Sequence, residues 1–156
     1  MTARPTGTTA PGPVGRVVRG TLAGAVATGV MSAVFVVSDR GGVIGRKPPR
    51  LIVDHLLPRM PETTADRVAL VLHFVYGAAG GAVYRMLPGG ERRSIRRGVA
   101  FGLLVWVLSY EGWLCAFGIL PPAHRDYRGR AVTVVLAHLV YGGVLGLASG
   151  RPRRAP

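Results

Sequence analysis

Long uncharged stretches separated by short arginine-bearing connections make up most of this chain. The first stretch, Gly20–Ser38, runs for nineteen residues without a charge between Arg19 and Asp39. A bilayer core takes about 20 residues of helix, so this run is long enough to cross one. The second, Val68–Tyr84, has seventeen residues between Arg67 and Arg85. Arginines at its ends can snorkel to the headgroups and make up the length. The third, Gly98–Ala123, carries one charge, Glu111, and Pro121-Pro122 are expected to stop its helix. The fourth, Ala131–Gly150, lies between Arg130 and Arg151. The pattern predicts spans over about 18–38, 67–85, 98–120 and 131–150. An apolar run after arginines also opens a secretory signal, but a signal's apolar region is shorter and three further spans follow, which favours a retained first span.

The connections have patterns of their own. Residues 1–16 are rich in Pro, Thr and Gly, lack periodicity and read as a disordered cytoplasmic tail, while 151–156 form a basic tail beyond a membrane domain at 17–150. In the first connection, Ile52, Val53, Leu56, Leu57 and Met60 share one helical face away from Asp54, His55 and Arg59. That spacing predicts an amphipathic helix over about 50–60, begun after Pro48-Pro49 and ended by Pro61. It would lie in the membrane interface or cap the helices. Thr63 followed by Asp66 fits a capped helix start before the second span.

The second and fourth spans repeat one another. His73-Phe-Val-Tyr76-Gly77-Ala-Ala-Gly-Gly81 and His138-Leu-Val-Tyr141-Gly142-Gly-Val-Leu-Gly146 both read H-φ-V-Y-G-x-x-x-G. The first and third match more weakly, as Arg19-Gly20-xxx-Gly24 and Arg97-Gly98-xxx-Gly102. A helical hairpin therefore occurs twice in the same orientation, a parallel repeat about an axis along the membrane normal. The expected fold is all-α, a four-helix transmembrane bundle with His73 and His138 as symmetry mates. In each copy His, Tyr and both glycines fall along one helix face. Glycines four apart let a neighbouring backbone approach closely, which supplies packing where lipid offers no hydrophobic drive.

Charge bears on orientation and partners. The formal net charge is +13, and of 20 basic residues only Lys47 is not arginine. These arginines flank apolar runs instead of lining a helix face among aromatics, so the expected partner is anionic lipid and not nucleic acid. The N-terminal tail, second loop and C-terminal tail hold eleven basic residues, against nine in the first and third loops. The dense ERRSIRR beside the third span predicts that both termini face the cytoplasm. Cys115 is the only cysteine, which rules out an intramolecular disulfide. A homo-oligomer or membrane-protein partner is open.

Three ionisable residues fall well inside the spans. On regular helices His73 lies about 9 Å below Arg67, His138 about 12 Å below Arg130, and Glu111 about 13 Å before Leu120. All three are expected at one depth, in the half of the bilayer opposite the termini, with Tyr76 and Tyr141 one turn deeper. A charged carboxylate in hydrocarbon costs several kcal/mol, so Glu111 should face the interior, be protonated, or pair with a histidine. Proton or ion handling, or small-solute transport, is the leading functional reading. Haem held between His73 and His138, or a divalent metal on both with Glu111, are others. Against them stands a purely structural role in which these side chains hydrogen-bond across helices and fix register. No CxxCH, CxxC or HExxH pattern marks a cofactor or metal, and no catalytic residue is assigned.

Several segments carry a resemblance. Gly24…Thr28-Gly-Val-Met31-Ser32, Gly45-Arg-Lys-Pro48-Pro49 and HFVYG at 73–77 do so, with Gly112-Trp113-Leu…Gly118-Ile-Leu-Pro121-Pro122 and HLVYG at 138–142. Over about 17–150 the chain resembles small bacterial inner-membrane proteins of unknown function, loosely YagU-like. It departs from them in its short loops and Cys115. The resemblance implies a four-helix membrane bundle without enzyme activity and supplies no site residues.

Overall fold

The computed structural model describes residues 12–90 and 92–148, and every regular element among them is helical. Helix α1 spans Pro13–Arg40. Proline is tolerated in a first turn because its missing N–H would have had no partner there. Residues 13–16, expected in the disordered tail, are therefore helical; residues 1–11 of that tail and the basic tail at 151–156 lie outside the described residues.

Helix α2 covers Pro48–Leu56, with both prolines inside its first turn, not ahead of it. It ends short of 60, at Leu57. Val53 is buried against Ala65 and Ala69 of helix α3, Glu62–Met86. Helix α2 thus packs as a cap on the start of α3, while Leu56 and Leu57 of its predicted face stay exposed. The helix start expected at Thr63 and Asp66 differs too. Pro61 is the N-cap, with no side-chain cap bond, and Asp66 pairs with Arg50 at 2.5 Å. A long-range ion pair has taken the carboxylate that a capping box would use.

The third apolar run is not one regular helix. Helix α4 covers Ile95–Trp106, opened by Ser94, whose hydroxyl accepts from the Arg97 N–H at 3.4 Å. A π-helical segment, Val107–Leu114, follows, with non-helical backbone angles at Gly112. Helical structure stops at residue 116, ahead of Pro121-Pro122. Gly118, at φ +69°, ends it, and the Ile119 N–H reaches back to the Leu114 carbonyl. Only glycine takes that left-handed conformation without cost, so a glycine stop precedes the proline stop. Helix α5 spans Arg128–Ala148.

Glycine contacts set the packing. A Cβ on Gly20 would stand 2.6 Å from the Gly81 carbonyl oxygen, and one on Gly24 2.9 Å from the Gly81 Cα. In the second pair, a Cβ on Gly98 would lie 2.7 Å from the Gly146 Cα, and one on Gly102 3.1 Å from the Gly142 Cα. Helices α1 and α3 therefore meet backbone to backbone and antiparallel, and so do α4 and α5. Helix α1 also packs along α5, giving the lateral order α3, α1, α5, α4. At the far end the Gly129 backbone abuts the Val43 carbonyl, which brings the start of α5 to the first loop.

Among the described residues, α1, α3 and α5 are each long and apolar enough to cross a membrane. Their outer faces expose Leu22, Val26, Leu70, Val71, Val132 and Leu136. Contiguous apolar surface on this scale suits lipid, not water, and marks a membrane protein.

Candidate functional site: a cavity between the spans

Helix α3 and the third apolar run do not pack extensively on one another, and a cavity of about 410 Å³ occupies the space between them. Helix α3 lines it with Leu72, His73, Val75, Tyr76 and Ala79, and the third run with Val105, Ser109, Tyr110 and Trp113. Thr28, Met31 and Phe35 of α1 and Val134, His138 and Tyr141 of α5 also line it, and Pro48, Pro49 and Ile52 of α2 cover one end. Leu72, Val75 and Tyr76 are exposed on α3, so the cavity is open toward the lipid-facing side of that helix.

Both histidines reach this cavity. His138 is 9% exposed, and its Nδ1 lies 2.8 Å from the Val134 carbonyl oxygen. A carbonyl only accepts, so Nδ1 carries the proton and Nε2 keeps its lone pair. The His73 ring lies 5.8 Å from that of Phe35, centroid to centroid, and its buried Nε2 has no hydrogen-bond partner. Among the described residues with such an unpartnered buried atom, His73 alone lines the cavity.

The matched tyrosines part company. Tyr141 is buried, and its hydroxyl donates to the Gly77 carbonyl at 2.7 Å, tying α5 to α3. Tyr76 is 48% exposed, on the outer wall of the cavity. Other hydroxyls in the wall are occupied. Thr28 donates to the Gly24 carbonyl at 2.8 Å, and Ser109 to that of Val105 at 2.7 Å.

Glu111 does not line the cavity. Its carboxylate accepts from the Ala123 N–H at 3.0 Å and braces the turn after the third run. The expected shared depth assumed a regular helix through Glu111, and that stretch is π-helical, which changes the direction in which each side chain points. Two of the three ionisable residues converge, and the carboxylate stands apart. Among the described residues no group of three His, Cys, Asp or Glu is arranged to hold a metal ion.

A polar centre that the sequence reading missed lies at the same end. The Tyr110 hydroxyl donates to Asp126, and Arg130 binds that carboxylate through Nε at 2.7 Å and through Nη2. The Asp126 side chain is 2% exposed. Burial alone would raise its pKa, but hydrogen bonds from Arg130 and Tyr110 more than offset this and hold it below the usual carboxylate range. The Asp-x-x-x-Arg spacing at a helix start was the available signal. Outside the cavity, Arg50 joins Asp54 at 2.8 Å and Asp66, while Arg46 reaches Asp54 at 3.0 Å. This network fastens α2 to α3.

Comparison with protein-family models, curated proteins and solved structures gives no match to this chain.

Proposed function

We propose that this is a four-span bacterial inner-membrane protein, with both termini cytoplasmic, that binds a membrane-soluble molecule between its helices. Four spans are supported by the Gly129–Val43 contact, since a third run that turned back would leave α5 starting at the opposite end. A duplicated hairpin is supported by matching glycine pairs, Gly20 with Gly81 and Gly24 with Gly77 in one, Gly98 with Gly146 and Gly102 with Gly142 in the other. The arginine-rich ends fit anionic headgroups on the cytoplasmic face. The YagU-like resemblance belongs to the same proposal.

The binding reading is carried by one observation, the apolar cavity of about 410 Å³ with both histidines in its wall. That volume suits a small organic ligand, and mostly apolar walls with a few polar groups are the usual make-up of such sites. Ion passage gains less support, because Glu111 is occupied elsewhere and Tyr110, Thr28 and Ser109 have bonded their hydroxyls within the protein. A structural role is favoured for one residue, Tyr141, whose hydroxyl joins two helices.

Photolabelling tests the proposal. Adamantyl diazirine, a small photoreactive hydrocarbon dissolved in the membrane, should label peptides containing Tyr76 or Trp113, and excess adamantane should compete. Ala79→Trp, which fills the cavity from its outer wall, should abolish the labelling. Labelling that does not saturate, or that survives Ala79→Trp in folded protein, would defeat the reading.

A further inference from the structure

Resting on that cavity, we infer that its ligand is a neutral, lipophilic phenol whose hydroxyl is bound by His138 and His73. Thr28, Ser109, Tyr110 and Tyr141 have each given their hydroxyl proton to a partner inside the protein. The Tyr76 hydroxyl lies on the exposed outer wall and the Trp113 indole N–H can only donate, so the acceptors left to a ligand away from that outer wall are imidazole nitrogens. His138 Nε2 is an acceptor, because Nδ1–H is committed to the Val134 carbonyl. His73 Nε2 is buried without a partner, and its tautomer is free to suit a ligand.

A ligand that satisfies this site must bring a hydrogen-bond donor to His138. It must also be uncharged, since an ion in so apolar a wall would lose its hydration without a counter-charge. A hydroxyl meets both conditions and can in addition accept from His73. The remaining wall selects the body that carries the hydroxyl. Phe35, Tyr76, Tyr110, Trp113 and Tyr141 surround the space with rings. Aromatic faces and edges favour another ring in offset or edge-on contact over a flexible chain. An apolar tail on that ring has an exit, because the cavity opens beside Leu72 and Val75 on the lipid-facing side of α3.

The test uses para-decylphenol, its methyl ether and hexadecanol as probes of the full-length protein in nanodiscs. A Trp106→Phe background leaves Trp113 as the reporting fluorophore, and native mass spectrometry of the unaltered protein gives a second readout. The phenol should bind about tenfold more tightly than the ether, the effect of one well-formed buried hydrogen bond. It should also bind more tightly than hexadecanol, and His138→Phe and His73→Leu should each erase its advantage over the ether. If His138→Phe does not fold, the ether comparison and His73→Leu decide the matter. Equal binding of phenol and ether overturns the inference, as does hexadecanol binding as tightly as the phenol. Saturable diazirine labelling with no phenol preference overturns this inference alone. Loss of saturable labelling overturns the cavity reading beneath it.

Discussion

At the scale of single residues, adjacent glycines in α5 have opposite duties. A Cβ on Gly142 would stand 2.8 Å from the Gly98 carbonyl carbon and 3.0 Å from the Val99 Cα, both backbone atoms that cannot rotate away. A Cβ on Gly143 would meet nothing within 4 Å. Gly142→Ala must push α4 and α5 apart and should lower stability by about 1–3 kcal/mol, the usual range for overpacking. Gly143→Ala removes only backbone freedom and should be neutral or stabilising by up to about 1 kcal/mol. Thermal denaturation in detergent, followed by helical circular dichroism, measures both. Equal effects would mean that close approach is not what Gly142 provides. This face was legible in the sequence because close approach demands glycine and spacing reveals the face. The different fates of Tyr76 and Tyr141, identical in their motif, were not legible. They depend on which helix lies opposite, and α1 covers α3 and α5 unequally.

At the scale of elements, the all-helical character of the described residues was legible in the sequence but the break in the third run was not, because one rise and one twist per residue were assumed throughout. A π-helical stretch breaks that assumption, and Glu111 turns to the Ala123 N–H while His73 and His138, on regular helices, line a common cavity. The break also places Tyr110 against Asp126, and Asp126 in turn holds Arg130 at the start of α5. Removing one member of a buried ion pair leaves its partner's charge uncompensated, at a typical cost of about 3–5 kcal/mol. Asp126→Asn should therefore destabilise the protein by about 3 kcal/mol near neutral pH. The Asp126 pKa is depressed in the folded state, so this stabilisation is complete above the ordinary value of 3.8. It is lost as pH falls through the lower folded value. Denaturation of wild type and Asp126→Asn side by side should show a constant gap from pH 7 to 5 that narrows below pH 4. The remaining carboxylates titrate alike in both proteins and cancel in the difference. A gap unchanged into strong acid would show that Asp126 does not act through its charge.

At the scale of the whole molecule, the number of crossings turns on the divided third run. Helices α1, α3 and α5 are each long enough alone, while α4 and the π-helical segment must act in series. Three crossings and four make opposite statements about the loops. With three, the first loop and the start of α5 lie on opposite sides of the membrane. With four they lie together, an arrangement that agrees with the contact between Gly129 and Val43. Single cysteines placed in a Cys115→Ser background separate the two. Arg59, His124 and Arg92 are exposed and lie in the first, third and second connections. A membrane-impermeant maleimide added to intact cells should label Arg59→Cys and His124→Cys alike. Arg92→Cys, within the arginine-rich connection, should react only after the membrane is opened, since a dense basic loop is retained in the cytoplasm. Labelling of Arg59→Cys but not His124→Cys would mean three crossings. It would also dissolve the cavity, whose walls need α3 and the third run side by side at the same height in the bilayer.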